Sequence, residues 1–115
     1  MRTHRKLRMA SVIREELAKL LLREAEFEHA LVTITNVEVD DHYIWADVYV
    51  SVLPKEKAPA AMAELDAKTG HLHHLLNRIM NIRPMPRIRF KPDRGTENAA
   101  EIEKIFLNEN NKDTA

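Results

Sequence analysis

The sequence predicts an α+β domain in which one sheet buries one face beneath helices. Apolar residues recur at helical spacing near the N-terminus and again between residues 61 and 80. Alternating and β-branched stretches mark three strands, and the elements fall in the order α-β-β-α-α-β with a terminal helix.

The first helix is expected over about residues 9–24. Ala10, Ile13, Leu17, Leu20 and Leu21 share one stripe, while Arg14, Glu15, Glu16 and Lys19 mostly lie off it. Leu31 to Val39 is rich in β-branched residues and reads as a strand. Its alternation slips phase between Ile34 and Val37, which a bulge near Thr35–Asn36 would repair. Asp40-Asp41-His42 supplies turn chemistry. A second strand then puts Ile44, Ala46, Val48, Val50 and Val52 on one face, opposite Tyr43, Trp45, Asp47, Tyr49 and Ser51.

Beyond Leu53-Pro54, Pro59 suits the first turn of a helix running to about Ala67. Lys68-Thr69-Gly70 is expected as a kink or tight turn, followed by a helix from about Gly70 to Asn81. Leu72, Leu75, Leu76, Ile79 and Met80 face inward there. Pro84 and Pro86 end the helical stretch, because proline disfavours helix in the residue before it. Arg87 to Lys91 alternates as a third strand, with Ile88 and Phe90 inward and three cations outward. A turn at residues 92–95 leads to a short helix over about 97–108. The organisation expected is one domain over residues 1–108 and a polar, frayed tail over 109–115.

Composition narrows the function classes. The 115 residues suit one domain, and no apolar run approaches the ~20 residues that cross a bilayer. No apolar segment with a cleavage site follows the basic N-terminus, so a secretory leader is not expected. The chain has no cysteine, which removes disulfides, thiolate metal sites and a cysteine nucleophile together. A cytoplasmic, monomeric protein is the reading that follows.

Net charge is zero but unevenly spread. Residues 1–14 carry five bases and no acid, and residues 15–67 carry twelve acids against four bases. Residues 68–94 carry seven bases against one acid, and the remainder is acidic again. Phosphate responds to local potential rather than to the total, so two basic blocks can form one RNA-binding face. The alternative is that folding intermixes the charges.

Three stretches are more specific than element order, which is that of a type II KH-like domain. They are Val32 to Asp40 running into Ile44 to Ser51, Gly70-His71-Leu72-His73-His74-Leu75-Leu76, and Arg83-Pro84-Met85-Pro86-Arg87-Ile88-Arg89-Phe90-Lys91-Pro92-Asp93. Together they resemble ribosome-binding factor A, a bacterial family that assists maturation of the small ribosomal subunit. The resemblance covers nearly the whole chain. It implies a type II KH-like fold with a kinked central helix pair, and binding to the immature small subunit and its rRNA near the ends of that RNA. Late maturation, rRNA processing and release on completion follow as expectations. The family carries an Ala-x-Gly kink between its central helices; here Gly70 is kept, Lys68 stands at the alanine, and His73 stands where arginine is usual.

The residues also speak for themselves. KH domains that read single strands press a Gly-x-x-Gly loop against the nucleotide backbone. Gly70 and Gly95 are the only glycines, so that loop is absent and folded or double-helical RNA is the expected target. Arg5, Lys6, Arg8, Arg14, Lys68, His73, Arg78, Arg83, Arg87 and Arg89 are the expected RNA contacts, arginine offering phosphate two parallel hydrogen bonds. Taken singly, each is better explained as solvated surface; taken as a set, they favour RNA contact. Of His71, His73 and His74, the first and last share a helix face, but no carboxylate or third ligand lies at a supporting spacing, so no metal and no other cofactor is expected. Trp45 and Tyr49 suit packing better than base stacking, and Asp47 is placed to pair with Arg87 or Arg89. No nucleophile elbow, phosphate-cradling loop or zinc-protease motif is present; neither catalysis nor a small-molecule substrate is expected. The competing class is a protein–protein interaction module on the same scaffold, using the acidic centre.

Overall fold

The computed structural model describes residues 2–82 and 84–93. Within them the order is α1 (Arg2–Glu24), β1 (Leu31–Val39), β2 (Trp45–Leu53), a 3₁₀ turn (Lys55–Lys57), α2 (Ala58–Met80) and β3 (Arg87–Pro92). Arg83, Arg94 and Gly95, the expected terminal helix and the expected tail lie outside the described residues.

The strands form a sheet in the order β1-β2-β3. β1 and β2 pair as an antiparallel hairpin, and the register shifts between Ile34 and Asn36. That bulge returns Val37 and Val39 to the face of Ile34, and all three are buried, as the phase slip in the sequence requires. The hairpin turn is tied by Asp40, whose Oδ1 accepts the Ile44 N–H at 2.8 Å and whose carbonyl accepts the Tyr43 N–H at 3.1 Å.

β3 lies parallel to β2, with Ala46 opposite Ile88 and Val48 opposite Phe90. A parallel neighbour must start at the end of the sheet where β2 started, so the chain has to travel back along it. The 23-residue helix α2 does so, spanning about 34 Å against the ~30 Å of a nine-residue strand.

Both helices cover one face. Met9, Ile13, Leu17, Leu20 and Leu21 of α1 meet Leu65, Leu72 and Leu76 of α2 over Ile34, Val37, Val48, Val50, Ile88 and Phe90. Pro59 sits in the first turn of α2, and Asn81, in the left-handed region at φ 48°, ends it with its N–H on the Asn77 carbonyl at 3.1 Å.

Several expectations are corrected. α1 begins at Arg2 rather than near Met9, so the first basic block is itself helical. Ile44 precedes β2 and is 53% exposed, being held by the turn through its backbone; Ile79 is 48% exposed in the last turn of α2. The two central helices are one: α2 runs through Lys68-Thr69-Gly70 without interruption. Gly70 has no positive φ, and a Cβ built there meets nothing within 4 Å. One glycine in a helix interior costs about 1 kcal/mol. That is less than ending and recapping a helix whose Leu65, Leu72 and Leu76 are all anchored in the core.

Gly70→Ala should therefore stabilise the domain by about 0.5–1 kcal/mol, read as a higher urea midpoint at an unchanged m-value. A lower midpoint would show that the helix needs glycine there.

Candidate nucleic-acid interface

Parallel pairing decides where the cations go. β3 starts opposite Trp45, and the Arg87 N–H donates to the Ile44 carbonyl at 2.8 Å. The start of β3, the Asp40–Ile44 turn and the C-terminal end of α2 thus lie at one end of the sheet. The N-terminal part of α1 reaches the same end: Lys6 Nζ donates to Asp41 Oδ1 at 2.6 Å, and the Arg5 guanidinium lies 5.6 Å from the Tyr43 ring centroid. Two basic blocks more than about seventy residues apart in sequence, from Arg8 to Arg78 and beyond, thereby form one pole.

Arg5, Arg8, Arg78 and Arg87 are exposed at or next to this pole. Arg14 is exposed farther along α1, beside Asn36 and Val37 of β1. Arg83 lies outside the described residues.

The remaining candidates are otherwise engaged. Lys68 is at the far end of α1, where Nζ donates to the Glu24 carbonyl at 3.0 Å and pairs with Glu64 at 3.2 Å. It satisfies a carbonyl left open at the α1 C-terminus, among acids rather than at the basic pole. The reason is helical phase: Lys68 lies one turn past Glu64 on the edge of α2 that meets α1. His73 is half-buried, with Nε2 enclosed and without a hydrogen-bond partner. His71 approaches Glu24 instead, at 3.5 Å.

Arg89 has a structural part. Its Nε donates to Asp47 Oδ1, Lys91 Nζ donates to Asp47 Oδ2 at 3.1 Å, and the guanidinium stacks 4.5 Å from the Trp45 ring centroid. The pairing of Asp47 with Arg89 was legible from strand parity, whereas Lys91 as second partner was not. Tyr49 is only 3% exposed, and its hydroxyl bonds Glu38 Oε2 at 3.3 Å, so it packs rather than offering a stacking surface. Asp41 and Tyr43, which orient Lys6 and Arg5, read in sequence only as a turn residue and a residue of the second strand.

The sequence model of ribosome-binding factor A matches residues 5–106, nearly the full span of these elements. The chain belongs to the ribosome-binding factor A family. It is 38% identical over 110 residues to ribosome-binding factor A of Cupriavidus metallidurans, covering 95% of this chain and 88% of that protein. It is 39% identical over 105 residues to that of Bordetella petrii, covering 87% and 76%. The fold is that of the crystal structure of ribosome-binding factor A from Thermus thermophilus. The TM-score is 0.65 at 24% identity, covering 76% of this chain and 94% of that one. A homology model of the Thermus thermophilus factor, fitted into a cryo-EM map of a 30S complex, gives a TM-score of 0.63 at 24% identity, covering 74% and 91%. The KH-like α+β architecture expected from the sequence is thereby established. Among the described residues no group of three potential metal ligands occurs, and no helix is long and apolar enough to cross a membrane.

Partial burial raises the Asp47 carboxyl pKa, but the hydrogen bonds from Arg89 and Lys91 outweigh it and hold the group below its ordinary value. A carboxyl with a lower pKa folded than unfolded stabilises the fold above the unfolded value of about 4, and loses that contribution as pH falls through the folded value. Asp47→Asn should cost up to about 1 kcal/mol at neutral pH, the scale of a solvent-screened pair. The difference from wild type should close on acidification, checked by urea melts at neutral and at strongly acidic pH. A pH-independent difference would assign the loss to packing.

Proposed function

We propose that this chain binds the immature small ribosomal subunit through its rRNA, with the basic pole as the contact surface, and assists late maturation and rRNA processing. The observation that carries this reading is the meeting of the two basic blocks at one end of the sheet. The family supports it, as does the 30S complex in which the Thermus thermophilus factor has been fitted.

The pole suits folded RNA. Arg5, Arg8, Arg78 and Arg87 present guanidinium groups from two helix ends and a strand, a spread that matches phosphates across a groove. No mobile glycine loop interrupts α2, so clamping of a single strand has no support here. Contacts of this kind position the protein on RNA of the right shape without reading bases. Arg83, in the connection between α2 and β3, belongs to the same proposal. The work is binding alone, without catalysis or cofactor, by a monomer in the cytoplasm with the ribosome.

Affinity for small-subunit RNA should fall linearly on a log–log salt plot. Arg8→Ala combined with Arg87→Ala should reduce the slope by roughly one unit per lost phosphate contact. Lys68→Ala should leave that slope unchanged while lowering the melting temperature. Titrations by fluorescence anisotropy across a salt series decide this, and an unchanged slope in the double variant would move the interface elsewhere. In cells, the chain should co-sediment with free small subunits and not with translating ribosomes. Its depletion should leave small-subunit RNA with unprocessed ends, and normal ends would remove the maturation part of the reading.

A further inference from the structure

The face away from the basic pole carries a second feature that RNA binding does not use. β1 is an edge strand, hydrogen-bonded only to β2 among the described residues. Edge strands are ordinarily blunted by lysine, proline or an inward charge. The stretch Leu31-Val32-Thr33-Ile34 has none of these, and the bulge that would twist the edge away comes only after Ile34.

Beside this stretch, α1 and β1 enclose an open groove of about 400 Å³ lined by Ala18, Leu22, Phe27, Leu31 and Ile34 among others. Leu22 is 88% exposed and Leu31 62% exposed, so large aliphatic side chains stand in water on both rims. Apolar surface of this kind next to unpaired backbone N–H and C=O groups is complementary to an extended peptide. Such a peptide can complete the ladder and set every second side chain into the groove.

Charge selects among peptides. Glu26 and Glu28 flank Phe27, which lines the groove, and neither has an ion pair among the described residues. Glu64, with Lys57, lines the neighbouring cleft that Phe27 and Glu28 share. An RNA phosphate would be repelled here, whereas a cation two residues from an aliphatic anchor would find an uncompensated carboxylate.

We infer that the Leu31–Ile34 edge of β1 is a docking site for an extended, cationic and aliphatic peptide segment of a protein partner, added as a further strand. This site is independent of the proposed RNA surface. A chain with both would bring a basic protein segment to the RNA held at the opposite pole.

The test uses the full chain and a short, end-blocked, dye-labelled peptide alternating valine and lysine. Controls are the same peptide with glutamate for lysine, and one with alternate residues replaced by proline. The valine–lysine peptide should bind and the two controls should not. Amide shifts should appear in Leu31–Ile34 and spare residues 2–8 and Arg87. Leu22→Lys with Leu31→Lys changes only exposed side chains, so it should fold with an unchanged melting temperature. It should keep its affinity for small-subunit RNA and lose at least about tenfold in peptide affinity, since cations would then meet cations.

Absence of peptide binding by wild type, shifts confined to other residues, or an unaffected double variant would each overturn the inference. So would wild type sedimenting as a dimer that Leu22→Lys with Leu31→Lys dissociates, because a second copy would then own the edge. Loss of RNA binding bears only on the basic pole, so the two readings fail separately.

Discussion

The parallel pairing of β3 with β2 is the constraint on which the rest of the domain depends. A hairpin alone would leave the chain at the far end of the sheet. To add a parallel strand it must return, and α2 provides the return while burying Leu65, Leu72 and Leu76 over the strands it crosses. One element thus closes the core and delivers Arg78 and Arg87 to the end where the α1 N-terminus already lies. Breaking the crossover would disperse the cations as surely as it would open the core.

That arrangement explains how a chain of zero net charge can present a cationic surface. α1 carries four of its seven bases in its first half and all its acids in its second, and runs 23 residues, about 34 Å, to the acids around Glu24. The screening length at physiological salt is about 8 Å, so the acidic end contributes little potential at the basic one. Folding therefore keeps the Glu24 end away from the basic pole, although Asp41 and Asp47 of the acidic block come to lie among the cations. It also uses charge locally, as where Lys68, expected among the cations that face RNA, instead closes the α1 C-terminus between Glu24 and Glu64.

What was legible follows from which interactions are local. The α1 stripe, the bulge after Ile34, the alternation of β2 and β3 and the proline in the first turn of α2 are periodic or single-residue signals. The structure carries each of them. What sequence could not give is what a side chain meets across the fold. Gly70 resembles a breaker until its neighbours in phase are seen to be anchored. Lys68 resembles a phosphate ligand until α1 is packed beside it, and the partners of Lys6 and Arg5 are set by a turn thirty-five residues away. The family resemblance added the architecture and its business with the ribosome, yet it shares this blindness at positions where the chain departs from the family.

The acids near the cations sort the arginines by availability. Asp47 is mostly enclosed and holds both Arg89 and Lys91, while Trp45 covers the Arg89 guanidinium. Releasing Arg89 would leave a half-buried carboxylate with Lys91 alone, so this pair is exchanged less readily than a fully exposed one. Arg89 and Lys91 therefore tie β3 to β2. Asp41, by contrast, is 83% exposed, so Lys6 can exchange it for a phosphate with water re-solvating the carboxylate left behind. The same asymmetry makes Arg5 adaptable, since a guanidinium stacked on Tyr43 keeps its N–H edge free for phosphate. The half-buried acid fixes the sheet, and the exposed one leaves its cation available to the phosphate proposed for this pole.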